Sequence, residues 1–170
     1  MTVRAGHKAA FVTNAGWGAS SAHMVAGDAS NRRYDRLTMS DGRTAILMDA
    51  PPDKGEDVRP FVRIAGYLNE QGFSAPQTFE QDADAGFLLI EDLGDALFYD
   101  LMAADAEQET PLYRAAADVL VHLRAAPTLD LPTGDADWLT QATDLFFEWY
   151  VDGDAAQRQS AFFDRFRPIA

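Results

Sequence analysis

Gly86-Phe87-Leu88-Leu89-Ile90-Glu91-Asp92-Leu93-Gly94 divides the chain into two textures. Before it lie short β-like runs with turn signals; after it lie long helical periods. Phe87 to Ile90 is continuously apolar and reads as a buried strand, paired with Gln77 to Gln81 through the turn Asp82-Ala83-Asp84-Ala85-Gly86. Upstream, a helix is expected from about Asp57 to Gln71. Its apolar positions Phe61, Ile64, Ala65 and Leu68 fall at helical spacing, and Gly72 stands where a C-terminal cap belongs. Arg32 to Met39 and Thr44 to Met48 form a second hairpin around Ser40-Asp41-Gly42-Arg43. Ser21 to Ala26 is a weaker strand candidate, and His7 to Ala15 a short helix ending at Gly16. Downstream, helices are expected at Ala96–Ala103, Pro111–Ala126, Asp137–Val151 and Ala155–Phe166. The fold class is therefore α+β: an antiparallel sheet of about five strands with one packed helix, then helices only. The domain reading is 1–93 and 94–170.

The chain has 170 residues, 47% of them hydrophobic, so a packed core is within reach. Its 27 acidic and 14 basic residues give a net charge of −13. Residues 1–95 carry 9 basic and 14 acidic groups, and residues 96–170 carry 5 and 13, so the helical half is the more acidic. Such a surface repels phosphate backbones and anionic lipid, which argues against nucleic acid or a membrane as partner. Cysteine is absent, which excludes disulfides, thiolate metal sites and a Cys nucleophile, and fits a cytoplasmic location. No apolar run reaches the ~18 residues of a membrane span.

Several catalytic signatures are missing. There is no G-x-x-x-x-G-K-[ST] and no H-E-x-x-H, and His7, His23 and His122 are far apart in sequence. Gly16-Trp17-Gly18 follows no strand and reads as a helix-ending turn. The pairs Asp82/Asp84, Asp135/Asp137 and Asp152/Asp154 read as turn and cap residues rather than cation ligands. One stretch stands apart: Gly27-Asp28-Ala29-Ser30-Asn31-Arg32-Arg33-Tyr34. Small residues there let backbone N–H groups approach a ligand. Arg32, Arg33, Arg36 and Arg43 place 4 of the 14 basic residues within twelve positions. Open amides beside forked donors suit a polyphosphate; an ordinary hairpin with charged outer faces is the alternative.

A small-residue turn between two strands, a third strand, a helix, two more strands, then helices is the order of a protein-kinase-like N-lobe. The sequence resembles the aminoglycoside phosphotransferase and choline kinase-like family. Within it, the chain is similar to bacterial sugar kinases acting on the anomeric hydroxyl of N-acetylmuramate or N-acetylglucosamine. The resemblance rests on residues 27–34, Ile46-Leu47-Met48-Asp49-Ala50-Pro51-Pro52, Glu56-Asp57-Val58-Arg59-Pro60-Phe61, residues 86–94, and Asp144-Leu145-Phe146-Phe147-Glu148-Trp149-Tyr150. It implies an ATP-dependent phosphotransferase of a small hydroxylated substrate, using ATP and Mg2+. Residues 1–93 would be the nucleotide-binding lobe and 94–170 the start of a helical C-lobe. Gly27, Ser30, Asn31, Arg32 and Arg33 would cover the phosphates. The backbone of Glu91 and Leu93 would hydrogen-bond adenine.

Two positions depart from the family pattern. Met48 stands where the strand lysine belongs, and Glu56 and Asp57 lie about a turn too early for its helix partner. The catalytic loop H-x-D-x-x-x-x-N is not found: His7 is followed by Lys-Ala, His23 by Met-Val and His122 by Leu-Arg. The resemblance thus assigns no catalytic residue and no magnesium ligand to these 170 residues, which are expected to be inactive alone. The alternative is a nucleotide-binding pseudokinase or regulatory fragment. Arg32 and Arg33 point to opposite faces of their strand, so one of them replaces the lysine, and Arg33 is favoured. Apolar helix faces after residue 136 are expected to drive self-association.

Overall fold

The computed structural model describes residues 3–25 and 30–166. Among these residues seven α-helices and five strands follow one another: α1 Val3–Asn14, β1 Ser21–Met24, β2 Arg33–Thr38, β3 Thr44–Asp49, α2 Arg59–Glu70, β4 Thr78–Asp82, β5 Phe87–Ile90, α3 Phe98–Ala104, α4 Glu109–Ala125, α5 Ala136–Gln141, α6 Asp144–Tyr150 and α7 Ala155–Phe166. The strands form one antiparallel sheet in the order β1-β2-β3-β5-β4. The change of texture at Leu93-Gly94 is thus the change from sheet to helices. Compact packing divides the chain elsewhere, into one unit ending at Pro127 and another beginning at Thr128.

The first unit is built around β3 and β5, which lie side by side at the sheet's centre. In register, Ile46 faces Ile90, Leu47 faces Leu89 and Met48 faces Leu88. Side chains alternate across a strand, so these pairs feed two cores. On one face Met48, Ala50, Leu88 and Ile90 pack with Val58, Phe61 and Val62 of the α2 region, and with Tyr34 of β2. On the other, Leu37, Ala45, Leu47 and Leu89 pack with Phe11 and Val12 of α1 and with Ala15 and Trp17. Double-sided burial explains why both strands read as apolar runs and not as alternations.

Helix α1 begins four residues earlier than the apolar spacing suggested. Its first turn is held by charge. Arg4 Nε donates to Asp49 Oδ1 at 2.8 Å and its Nη1 to the Ala85 carbonyl at 2.9 Å. The same guanidinium lies 4.4 Å from the centre of the Phe87 ring, on which Phe11 stacks at 5.7 Å. Lys8 pairs with Asp35. Gly16 ends the helix at φ +81°, as a turn glycine should.

The second unit comprises α5, α6 and α7. The single helix expected over 137–151 is two, with a break at Ala142-Thr143. Threonine hydroxyls cause it: Thr140 donates to the Ala136 carbonyl at 2.5 Å and Thr143 to the Thr140 carbonyl at 2.6 Å, competing with the helix ladder. Phe147 is buried among Phe146, Phe162 and Phe163. Leu145, Phe146, Trp149 and Tyr150 are exposed. Asp135 caps α5 by accepting from the Trp138 amide at 2.8 Å, and Asp82 accepts from the Ala85 amide at 2.9 Å, so both act as cap and turn residues. Among the described residues no helix is long and apolar enough to cross a membrane.

The β4–β5 turn is fixed by one glycine. Gly86 has φ +73°, its carbonyl accepts from the Ala50 amide at 2.9 Å, and a Cβ there would lie 2.0 Å from the Ala50 carbonyl oxygen. Gly42 has φ +87° but open space around it. Gly86→Ala is therefore expected to cost about 3 kcal/mol or more in chemical denaturation, and Gly42→Ala about 1 kcal/mol, the cost of backbone strain alone.

Candidate nucleotide site

β2 leaves its even-numbered side chains on the α2 face, because Tyr34 faces Met48 and Arg36 faces Ile46 in register. Arg32, Tyr34 and Arg36 thus follow one another along that face. Arg33 points the other way, is exposed, and lies opposite Asp49. The expectation that Arg33 faces inward is corrected: strand parity puts Arg32 on the side of Met48. Met48 itself is 1% exposed, a core residue packed with Val58 and Leu88.

At one end of this face, Glu56 gathers the approach to β2. Its Oε1 accepts from the Asn31 amide at 3.1 Å and its Oε2 from Arg32 Nε at 2.7 Å. Asn31 Nδ2 donates to the Lys54 carbonyl at 3.4 Å, and Ser30 Oγ accepts from the Arg32 amide at 3.2 Å. The amides of Asn31 and Arg32 are therefore engaged, not open as the small-residue composition suggested. Glu56 raises the Arg32 pKa above its ordinary value, against burial and with a smaller contribution from Tyr34. Glu56 takes the Nε–H and Tyr34 shares a second side-chain hydrogen bond, which leaves at most three of the five guanidinium N–H groups able to meet an anion. Gly27 lies outside the described residues.

At the other end, Arg36 meets the segment after β5. Its Nη2 donates to Asp92 Oδ1 at 3.0 Å and to Asp95 Oδ1 at 2.8 Å, its Nη1 donates to Asp95 Oδ2 at 2.7 Å, and its Nε lies 2.7 Å from Asp92 Oδ2. Asp92 is almost wholly buried and also accepts from the Gly94 amide at 3.0 Å. Glu91 is fixed from the β4 side: its amide donates to the Gln77 carbonyl at 2.8 Å and its carboxylate accepts from the Gln77 amide at 3.2 Å. The Glu91 amide is thus taken, and its carbonyl is what a ligand could use. Leu93 is 55% exposed.

Toward an adenine, this end offers the Glu91 carbonyl and the Leu93 backbone just beyond Ile90, itself in register with Ile46. The phosphate end has Arg32 but no cation from β3. Among the described residues no three His, Cys, Asp or Glu side chains converge as a metal site. The sequence shows Arg36 among the arginines that follow the small-residue turn but not its pairing with Asp92 and Asp95, 56 and 59 residues away. The Arg32–Glu56 pair was half visible, since both residues stood in the quoted motifs.

Residues 22–169 match the sequence model of the phosphotransferase enzyme family. The chain is 36% identical over 178 aligned residues to an N-acetylmuramate/N-acetylglucosamine kinase of Caulobacter vibrioides, covering 84% of this chain and 48% of that protein. It is 37% identical to the kinase of the same name from Pseudomonas aeruginosa, covering 80% and 40%. To that of Neisseria meningitidis it is 33% identical, covering 75% and 38%. The chain thus spans somewhat under half the length of these curated relatives.

The Arg36 cluster makes the segment acid-sensitive. Burial works against the charged form of Asp92, yet Arg36, the Gly94 amide and Thr44 together hold its carboxyl below the ordinary range; Arg36 holds Asp95 low as well. With folded pKa values depressed, the stabilisation is complete above the unfolded-state value of about 3.9 and is lost as pH falls through the lower folded values. The Gly94 amide resonance is expected to shift on acidification below about pH 4. In Arg36→Ala the same resonance should titrate at a higher pH, nearer the ordinary aspartate value.

Proposed function

Because the chain belongs to the phosphotransferase enzyme family, we propose that it is the nucleotide-binding part of an ATP-dependent kinase of a small hydroxylated substrate, an amino sugar such as N-acetylmuramate or N-acetylglucosamine. The observation that carries this reading is the order of groups along one sheet face: Arg32 near Glu56, Tyr34 on the core, Arg36 at the segment holding Glu91 and Leu93. Four residue steps of extended chain separate Arg32 from Arg36, about 13 Å at ~3.3 Å per residue, roughly the reach of ATP from base to terminal phosphate. The names of the relatives supply the acceptor class, and the family supplies the cofactors ATP and Mg2+.

In this reading the base lies against Ile46 and Ile90, with its polar edge on the Glu91 carbonyl and the Leu93 amide. The phosphates lie toward residues 30–32. The Arg32–Glu56 pair stands in for the lysine–glutamate pair of the family: Glu56 holds the guanidinium by Nε, and the remaining donors face phosphate oxygens. Bound ATP would supply the transferable phosphoryl group. These 170 residues orient the nucleotide but hold no H-x-D segment to supply a base, so their own turnover is expected at background. The protein is expected in the cytoplasm, where its nucleotide is found.

Two measurements test this. Calorimetric titration is expected to show ATP binding by the 170-residue chain, and its absence overturns the nucleotide assignment. Incubation with ATP and N-acetylglucosamine should yield no sugar 1-phosphate above a no-protein control; product overturns the assignment of the missing base. Arg32→Ala should weaken ATP binding by about 1.5–3 kcal/mol, the worth of a charge-assisted hydrogen bond. Arg33→Ala should change it little. Equal small effects would mean that neither arginine replaces the strand lysine.

A further inference from the structure

We propose that Arg36 is a positioning residue for the nucleotide base: by gripping Asp92 and Asp95 together, it sets the backbone between Glu91 and Gly94. The inference rests on the nucleotide-binding reading above and adds to it a residue outside the quoted motifs.

The segment 91–95 is not part of a helix or strand, so something else must fix its backbone. Gln77 and Arg36 hold it from opposite sides, and Thr44 adds a hydrogen bond to Asp92. Gln77 holds Glu91 through a reciprocal pair of bonds on the β4 side. Arg36 holds Asp92 and Asp95 on the β2 side. Leu93 sits between these anchors, and its amide is one of the two groups assigned to adenine. The hold on Asp92 passes directly to that backbone, since the Asp92 oxygen that meets Arg36 Nη2 also accepts the Gly94 amide. Arg36 lies level with Ile46 and Ile90, the last residue of β5, so its guanidinium can cross the sheet end to reach the segment.

A surface ion pair would not have this form. The Asp92 carboxylate is 6% exposed, against 54% for Asp41 in the hairpin pair Arg43–Asp41. One planar guanidinium hydrogen-bonds two carboxylates through Nη1 and Nη2, while its buried Nε lies 2.7 Å from Asp92 Oδ2 without a hydrogen bond, a forked geometry that an ammonium cannot reproduce. The lowered pKa of both aspartates, to which Arg36 contributes in each case, agrees with this grip.

The test compares ATP with inorganic tripolyphosphate, which has phosphates and no base, and follows amide exchange at residues 91–94. Arg36→Ala and Arg36→Lys are both expected to weaken ATP about tenfold, to leave tripolyphosphate within twofold, and to speed exchange at the Leu93 and Gly94 amides. Arg32→Ala should weaken both ligands. Asp95 is exposed, so Asp95→Asn keeps the fold even if the Arg36 variants do not, and should weaken ATP about threefold with the same exchange signature. ATP and tripolyphosphate falling together, or unchanged ATP affinity in Asp95→Asn, would overturn the proposal. Loss of all ATP binding by the unmodified protein would instead overturn the nucleotide reading, and this inference with it.

Discussion

The two-sided burial of β3 and β5 is the constraint from which the lobe follows. Ala45, Leu47, Met48 and Phe87 to Ile90 are all within 5% of full burial, covered by α2 on one face and α1 on the other. Each large side chain there contributes about 1.5–3 kcal/mol on leaving water. The same burial forbids an unpaired charge at the strand centres, since an isolated ammonium would lose its hydration. Met48 belongs to the apolar cluster of Ala50, Val58, Leu88 and Ile90. Charges that serve this sheet face must therefore come from its half-covered margin.

β2 is that margin. It is paired on both sides but only partly covered, so it carries apolar residues and arginines together. Here the acidic excess of the chain takes a structural form. Arg4 holds Asp49, Arg32 holds Glu56, Arg36 holds Asp92 and Asp95, and Arg59 holds Asp57 and Asp84. With carboxylates outnumbering cations almost two to one, the arginines are the limiting partner. Where each one lies decides which segments are tied to the sheet, and the two on the α2 face tie the segments entering β2 and leaving β5.

Most of the sheet could be read from local pattern. Gly42 at φ +87° and Gly86 at φ +73° bear out their turns, and Leu47 and Leu88 their buried strands, because these signals act over a few residues. The first turn of α1 could not be read, since Arg4 is held by Asp49, 45 residues away, and not by an amphipathic stripe. The break at Thr143 depended on hydroxyl competition that apolar spacing does not register. At the site, the quoted motifs contained Arg32, Glu56, Glu91 and Leu93 but not which of two adjacent arginines shares the Met48 face. Parity fixes that only once Tyr34 is known to oppose Met48.

The seating of α1 has a consequence for synthesis. Phe11 stacks on Phe87, and Arg4 bonds to the Ala85 carbonyl, a group 81 residues further along the chain. The ribosome therefore makes the helix long before it makes the surface that the helix covers. At ~5–20 residues per second, the interval between Phe11 and Phe87 is about 4–15 s. During it the apolar stripe of Phe11 and Val12 has no β5 to lie on. The back of the sheet is closed by α1 and β5, the first helix and the last strand among the described residues, so α1 must wait for β5 before that core can form. It closes as a ring in sequence space, and the short strand Phe87–Ile90 is the member whose arrival allows both cores to form.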